Sequence, residues 1–118
     1  MTEPQRRVFY RIVRRDPPDD ADFLSYEALG RSPPDHNPET VRRWRGVSAF
    51  DSLRAARTMA RRRPRLGAWV AELHIEEISE IRWERTGKTA GHYTLWGRAR
   101  ELLALVVAVW PVVAACGV

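Results

Sequence analysis

One stretch in the middle of the chain, Gly46 to Arg63 (GVSAFDSLRAARTMARRR), restricts what the rest can build. Val47, Ala49 and Phe50 read as a short strand, and Asp51-Ser52 as a turn whose side chains can accept the first free helical N–H groups. Leu53, Ala56, Met59 and Ala60 then recur at i, i+3, i+6 and i+7, the stripe of one helix face. Arg54, Arg57, Arg61, Arg62 and Arg63 occupy the other sides, and Pro64 ends the helix. A strand feeding a helix through such a turn is a common connection in an α+β core, and also a place to hold an anion or a substrate.

A chain of 118 residues suffices for one domain with one core. With 44% apolar and 30% charged residues it is patterned as a globular protein rather than a disordered one. The lone Cys116 excludes an intrachain disulfide and a cysteine zinc cluster. No charged-then-apolar segment opens the chain, so the expected location is the cytoplasm. The net charge of +5 favours a nucleic acid or another polyanion as partner. The competing explanation is coding bias: of the 20 basic residues only Lys88 is a lysine, as in chains rich in Ala, Pro and Val from GC-rich genes.

In chain order, Arg6 to Arg15 reads as the first strand, with Val8, Tyr10 and Ile12 on one face and Phe9, Arg11 and Val13 on the other. Arg11, flanked by apolar neighbours, must find a carboxylate, face a cleft, or snorkel to water at the sheet edge. Asp19, Asp20 and Asp22 suit a helix start, with Phe23 to Leu29 as the helix and Gly30 as its end. Capping explains these acids better than a metal site. Arg31 to Thr40 reads as a loop holding Asp35 and His36, and Val41 to Arg45 brings Arg42, Arg43, Trp44 and Arg45 to the central strand.

Leu66 to Ile75 reads as a strand that puts Glu72 and His74 side by side, as an acid–base pair or as an ion pair on a solvated face. Ile81 to Arg85 is a further strand, carrying Glu84. Gly91 to Gly97 (GHYTLWG) projects His92, Thr94 and Trp96 one way and Tyr93 and Leu95 the other, as a pocket wall or as hairpin packing. Arg98 to Leu102 forms a helical turn. Leu102 to Val118, uncharged over seventeen residues, reads as a strand covered on both faces, with Pro111 ending it or placing it at an edge. A membrane tail anchor is the less favoured reading, because Val dominates and Pro111 interrupts the run.

The segments FYRIV, GVSAFDSLRAAR and WVAELHI resemble a pattern in small ADP-ribosyltransferase-like domains, including RES-type bacterial toxins. With PPDDADFLS and GHYTLWG the chain also resembles an uncharacterised family of small proteins from high-GC bacteria. The transferase resemblance implies that Arg11 holds a phosphate of NAD, that Ser48 lines the nicotinamide pocket, and that a Glu stabilises the oxocarbenium-like cation. Glu27 and Glu39 fit the RES-type order of residues, whereas Glu72 and Glu84 fit the order in which Glu comes last. Trp44 or Tyr93 would stack on the nicotinamide, with His92 beside them.

These observations predict a single α+β domain over residues 1–118: a mixed or antiparallel sheet of five to six strands with two to three helices, ADP-ribosyltransferase-like if the resemblance holds. The first functional expectation is NAD chemistry by Arg11, Ser48 and Glu72 or Glu84, with NAD as substrate and no metal. The second is a basic module without catalysis, in which Arg42, Arg43, Arg45, Arg54, Arg57, Arg61, Arg62, Arg63 and Arg65 face RNA or DNA and Trp44 stacks on a base. An antitoxin-like protein partner is the third.

Overall fold

The computed structural model describes residues 6–113. Among them are six strands, β1 (Arg6–Val13), β2 (Val47–Phe50), β3 (Trp69–Glu76), β4 (Arg82–Arg85), β5 (His92–Trp96) and β6 (Val106–Pro111). Three helices accompany them: α1 (Pro38–Trp44), α2 (Leu53–Arg62) and α3 (Ala99–Ala104). Short 3-10 turns lie at Asp20–Phe23 and Pro64–Leu66. The strands form one sheet in the order β4-β5-β2-β1-β3-β6, and every neighbouring pair is antiparallel. The architecture is α+β.

Strand alternation divides the side chains between two faces. On the first face Phe9, Val13, Val47, Ala49, Ala71, Leu73, Ile75 and Leu95 pack with Phe23, Ile81 and Leu102, the last three supplied by the 3-10 turn, the loop before β4 and α3. On the second face Phe50 and Val70 pack with Ala56 and Ala60 of α2, and with Val112 just after β6. Tyr10, Ile12, Leu53 and Met59 close around that second cluster. The spacing read for α2 is the spacing found, and Ser52 caps it by accepting from the Ala55 N–H at 3.1 Å.

Four local readings change. Phe23 to Leu29 is not a helix: the 3-10 turn ends at Phe23, and a further turn runs from Tyr26 to Gly30. Asp19 and Asp22 form a reciprocal capping box at the start of the 3-10 turn, and Leu24 is already extended (φ −78°, ψ 131°), which ends it. The loop expected through Thr40 stops at Asn37, which caps α1 by accepting from the Glu39 N–H, with Pro38 at the first helical position. Pro64–Leu66 is a separate turn, so β3 begins at Trp69. Finally, β6 is not covered on both faces, since Val107 and Trp110 are exposed, while its place at the sheet edge is one of the two outcomes read from Pro111. Cys116 lies outside the described residues. Among the described residues no helix is long and apolar enough to cross a membrane.

Candidate functional site

The second face of the sheet carries the polar groups of interest. Ser48 of β2 lies opposite Thr94 of β5, and Phe50 lies opposite His92. Across that ladder Ser48 Oγ meets His92 Nε2 at 2.5 Å. The other ring nitrogen, Nδ1, is 3.0 Å from the Thr86 carbonyl oxygen. A carbonyl can only accept, so Nδ1 carries a proton; in the neutral ring Nε2 is then the acceptor, and the Ser48 hydroxyl donates to it. Thr86, buried, also bonds through its hydroxyl to that of buried Thr94 at 2.7 Å. The Phe50 ring stands edge-on to the imidazole, with centroids 5.3 Å apart. The imidazole is thus held from behind and from the side, while Ser48 is exposed.

Arg11 is on the other face. It shares the side of β1 that carries Phe9 and Val13, and its guanidinium lies over the Phe23 ring. Nε donates to the Asp22 carbonyl at 2.8 Å and Nη1 to the Ser48 carbonyl at 2.7 Å. Burial pulls its pKa down to about 10, opposed by the nearby Asp22 carboxylate, so it stays charged at neutral pH. Arg11 therefore touches the backbone of Ser48 but not its hydroxyl: the two side chains leave the sheet in opposite directions. The convergence expected for a phosphate clamp beside Ser48 is absent. The sequence requirement that Arg11 find polar partners is met by two carbonyls that tie the 3-10 turn to β2.

The candidate acids are also placed. Glu72, His92, Phe50 and Tyr10 lie in one transverse row of the second face, with Phe50 and Tyr10 between the other two. At ~4.8 Å per strand, three steps separate Glu72 from His92 by roughly 14 Å. Glu72 accepts from His74 Nε2 at 2.7 Å and from Trp110 Nε1 at 3.0 Å. The His74 hydrogen bond, aided by that of Trp110 and opposed by burial, holds its carboxyl below the ordinary glutamate range. Glu84 lies in the row of Thr94 and Ser48, two strands from Ser48, and is bound by Arg42 at 2.8 Å. Glu39 bonds Arg42 and Arg43, and Glu27 bonds Arg45.

Neither aromatic expected to stack on a ligand stands free. Trp44 stacks on Tyr26 with centroids 4.6 Å apart and donates its indole N–H to the Arg31 carbonyl. Tyr93 packs against Phe9 on the face opposite Ser48. Among the described residues no group of three or more His, Cys, Asp or Glu side chains is placed to hold a metal ion.

The arginines expected to face nucleic acid fall into two sets. Those of α1 and its end, Arg42, Arg43 and Arg45, are all paired with carboxylates, and Arg42 lies over the Trp96 ring at 4.6 Å. Arg57 and Arg61 of α2 donate to the carbonyls of Pro111 and Val112. Arg54, Arg62, Arg63, Arg65 and Lys88 are exposed, and none has a carboxylate in ion-pair range among the described residues. Arg62 and Lys88 both line a groove of about 500 Å³ between α2 and the β4–β5 turn. Thr58, Thr89, Ala55, Met59 and Ala90 line the rest of it. Sequence reasoning placed Arg54 and Arg62 on the basic face but missed Lys88, because its approach to Arg62 depends on how the hairpin turn packs against the helix.

Comparison with models of known protein families, with curated proteins and with solved structures finds no match to this chain.

Proposed function

We propose that the chain binds a polyanion, a nucleic-acid backbone, through the outer side of α2, the turn that follows it and Lys88. The observation that carries this reading is the contrast between the cations of α1 and those of α2 and the turn after it. Every arginine of α1 and its end meets a carboxylate, whereas Ser52 to Ala71 contains six arginines and no acid. Exposed like charges left together repel, and a row of phosphates relieves that repulsion while releasing its own counterions. The Arg62–Lys88 groove offers two cations and the Thr89 hydroxyl to a phosphate above an apolar floor, the Thr58 hydroxyl being spent on the Arg54 carbonyl. Trp44 is already engaged with Tyr26, so contact is with the backbone and without base readout.

The test is fluorescence anisotropy of a labelled duplex and a labelled single strand across a salt series. The logarithm of the affinity should fall linearly with log salt, with a slope of about 0.7 to 0.9 per phosphate engaged. Arg62→Ala, Arg63→Ala and Lys88→Ala should each weaken binding to all sequences alike and reduce the slope by about one. Arg43→Ala should change little. Binding that ignores salt, or that survives loss of the α2 cations, overturns the reading. NAD raising the melting temperature in place of nucleic acid would favour the transferase expectation instead.

A further inference from the structure

We propose that Ser48 and His92 form a nucleophile–base pair that takes an acyl group from an activated ester or thioester. The proposal rests on hydrogen-bond direction and is independent of the polyanion surface. The Thr86 carbonyl accepts from Nδ1, so the lone pair of Nε2 is fixed toward Ser48 Oγ. Both residues stand on paired interior strands of the sheet, β2 and β5, whose register places them on one face. The Thr86–Thr94 hydroxyl pair is buried, which is costly unless its bonds are made, and it fixes the segment that orients His92. Ser48, by contrast, is open to solvent. An oriented base behind an accessible hydroxyl is the arrangement that nucleophilic catalysis requires.

Among the described residues no cation bonds the Ser48 hydroxyl or the His92 ring, and of Ser48 Arg11 reaches only the carbonyl, from the other face of the sheet. A phosphoryl electrophile would need positive charge around its oxygens, so a carbonyl carbon is the better match. In the step, Ser48 Oγ forms a bond to the carbonyl carbon and its proton passes to His92 Nε2. The tetrahedral carbon then expels the alkoxide or thiolate, which leaves with that proton as the alcohol or thiol. Water hydrolyses the resulting ester by the reverse use of His92: its proton goes to Nε2, its oxygen to the carbonyl carbon, and Ser48 Oγ is released protonated. Phe50, edge-on to the ring, is a positioning residue.

The probe is p-nitrophenyl acetate, with release of p-nitrophenolate followed by absorbance and the acetylated residue identified by tandem mass spectrometry. The expected result is a burst of up to one equivalent, with acetyl on Ser48. Ser48→Ala should abolish the burst. His92→Gln should slow acetylation at least about 100-fold, the lower end of what a positioned base contributes. His92→Ala should regain part of the rate when free imidazole is added, a response that a structural histidine would not give. Acetylation that spares Ser48, or an unchanged rate in folded His92→Gln and His92→Ala proteins, overturns the proposal. If His92→Gln fails to melt cooperatively, the imidazole rescue of His92→Ala and the Ser48→Ala comparison decide the matter.

Discussion

Arg11 shows how a single side chain can carry a functional signature and do structural work. A guanidinium in a row of apolar residues must be satisfied, and here carbonyls from two distant segments satisfy it. Arg11→Met should therefore lower stability by about 2–4 kcal/mol, since hydrogen bonds to a charged group contribute ~1.5–3 kcal/mol. Urea unfolding monitored by tryptophan fluorescence reads this directly, and a variant as stable as the parent would contradict the structural role. Glu72 makes a second prediction. Its folded pKa is depressed, chiefly by His74, so its stabilising effect is present above the ordinary value of about 4.3 and is lost as the pH falls through the lower folded value. Glu72→Gln should flatten the acid side of the stability–pH curve, measured as urea midpoints from about pH 5 downward.

Elements are joined by a few backbone positions that tolerate no alternative. Gly67, just before β3, has φ +146°, and a Cβ there would run into the Val13 carbonyl. Gly30, at φ +78°, has open space around it. Gly67→Ala should cost more than about 2 kcal/mol and Gly30→Ala only about 1 kcal/mol, a contrast thermal melts can resolve. The sheet edges are guarded by different means. β4 carries Arg82, Glu84 and Arg85. Uncharged β6 relies on Val107, skipped in the ladder where Glu72 faces Ala108 and Leu73 faces Val106. Pro111 adds an end without an N–H, and its carbonyl is occupied by Arg57.

At the scale of the whole molecule the two longer arginine-bearing helices differ: the arginines of α1 are paired with acids, whereas Arg54 and Arg62 on the far side of α2 are exposed with no carboxylate in ion-pair range among the described residues. Much of this was legible in the residues. The periods of β1, β2, α2, β3 and β5 are local, as is the parity that puts His92 with Thr94 and Arg11 with Phe9. Asn37-Pro38-Glu39 was also a readable helix start, hidden only by the prolines around it. What the chain alone determined is therefore β1, β2, α2, β3 and β5 and the face each of their side chains takes, because those follow from 2.0 and 3.6 residue repeats. Only the tertiary structure decided which faces meet. Strand order and register seated Ser48 against His92, put Phe50 and Tyr10 between His92 and Glu72, and sent Arg11 to the opposite side. Those are contacts between segments far apart in sequence, which no local spacing encodes.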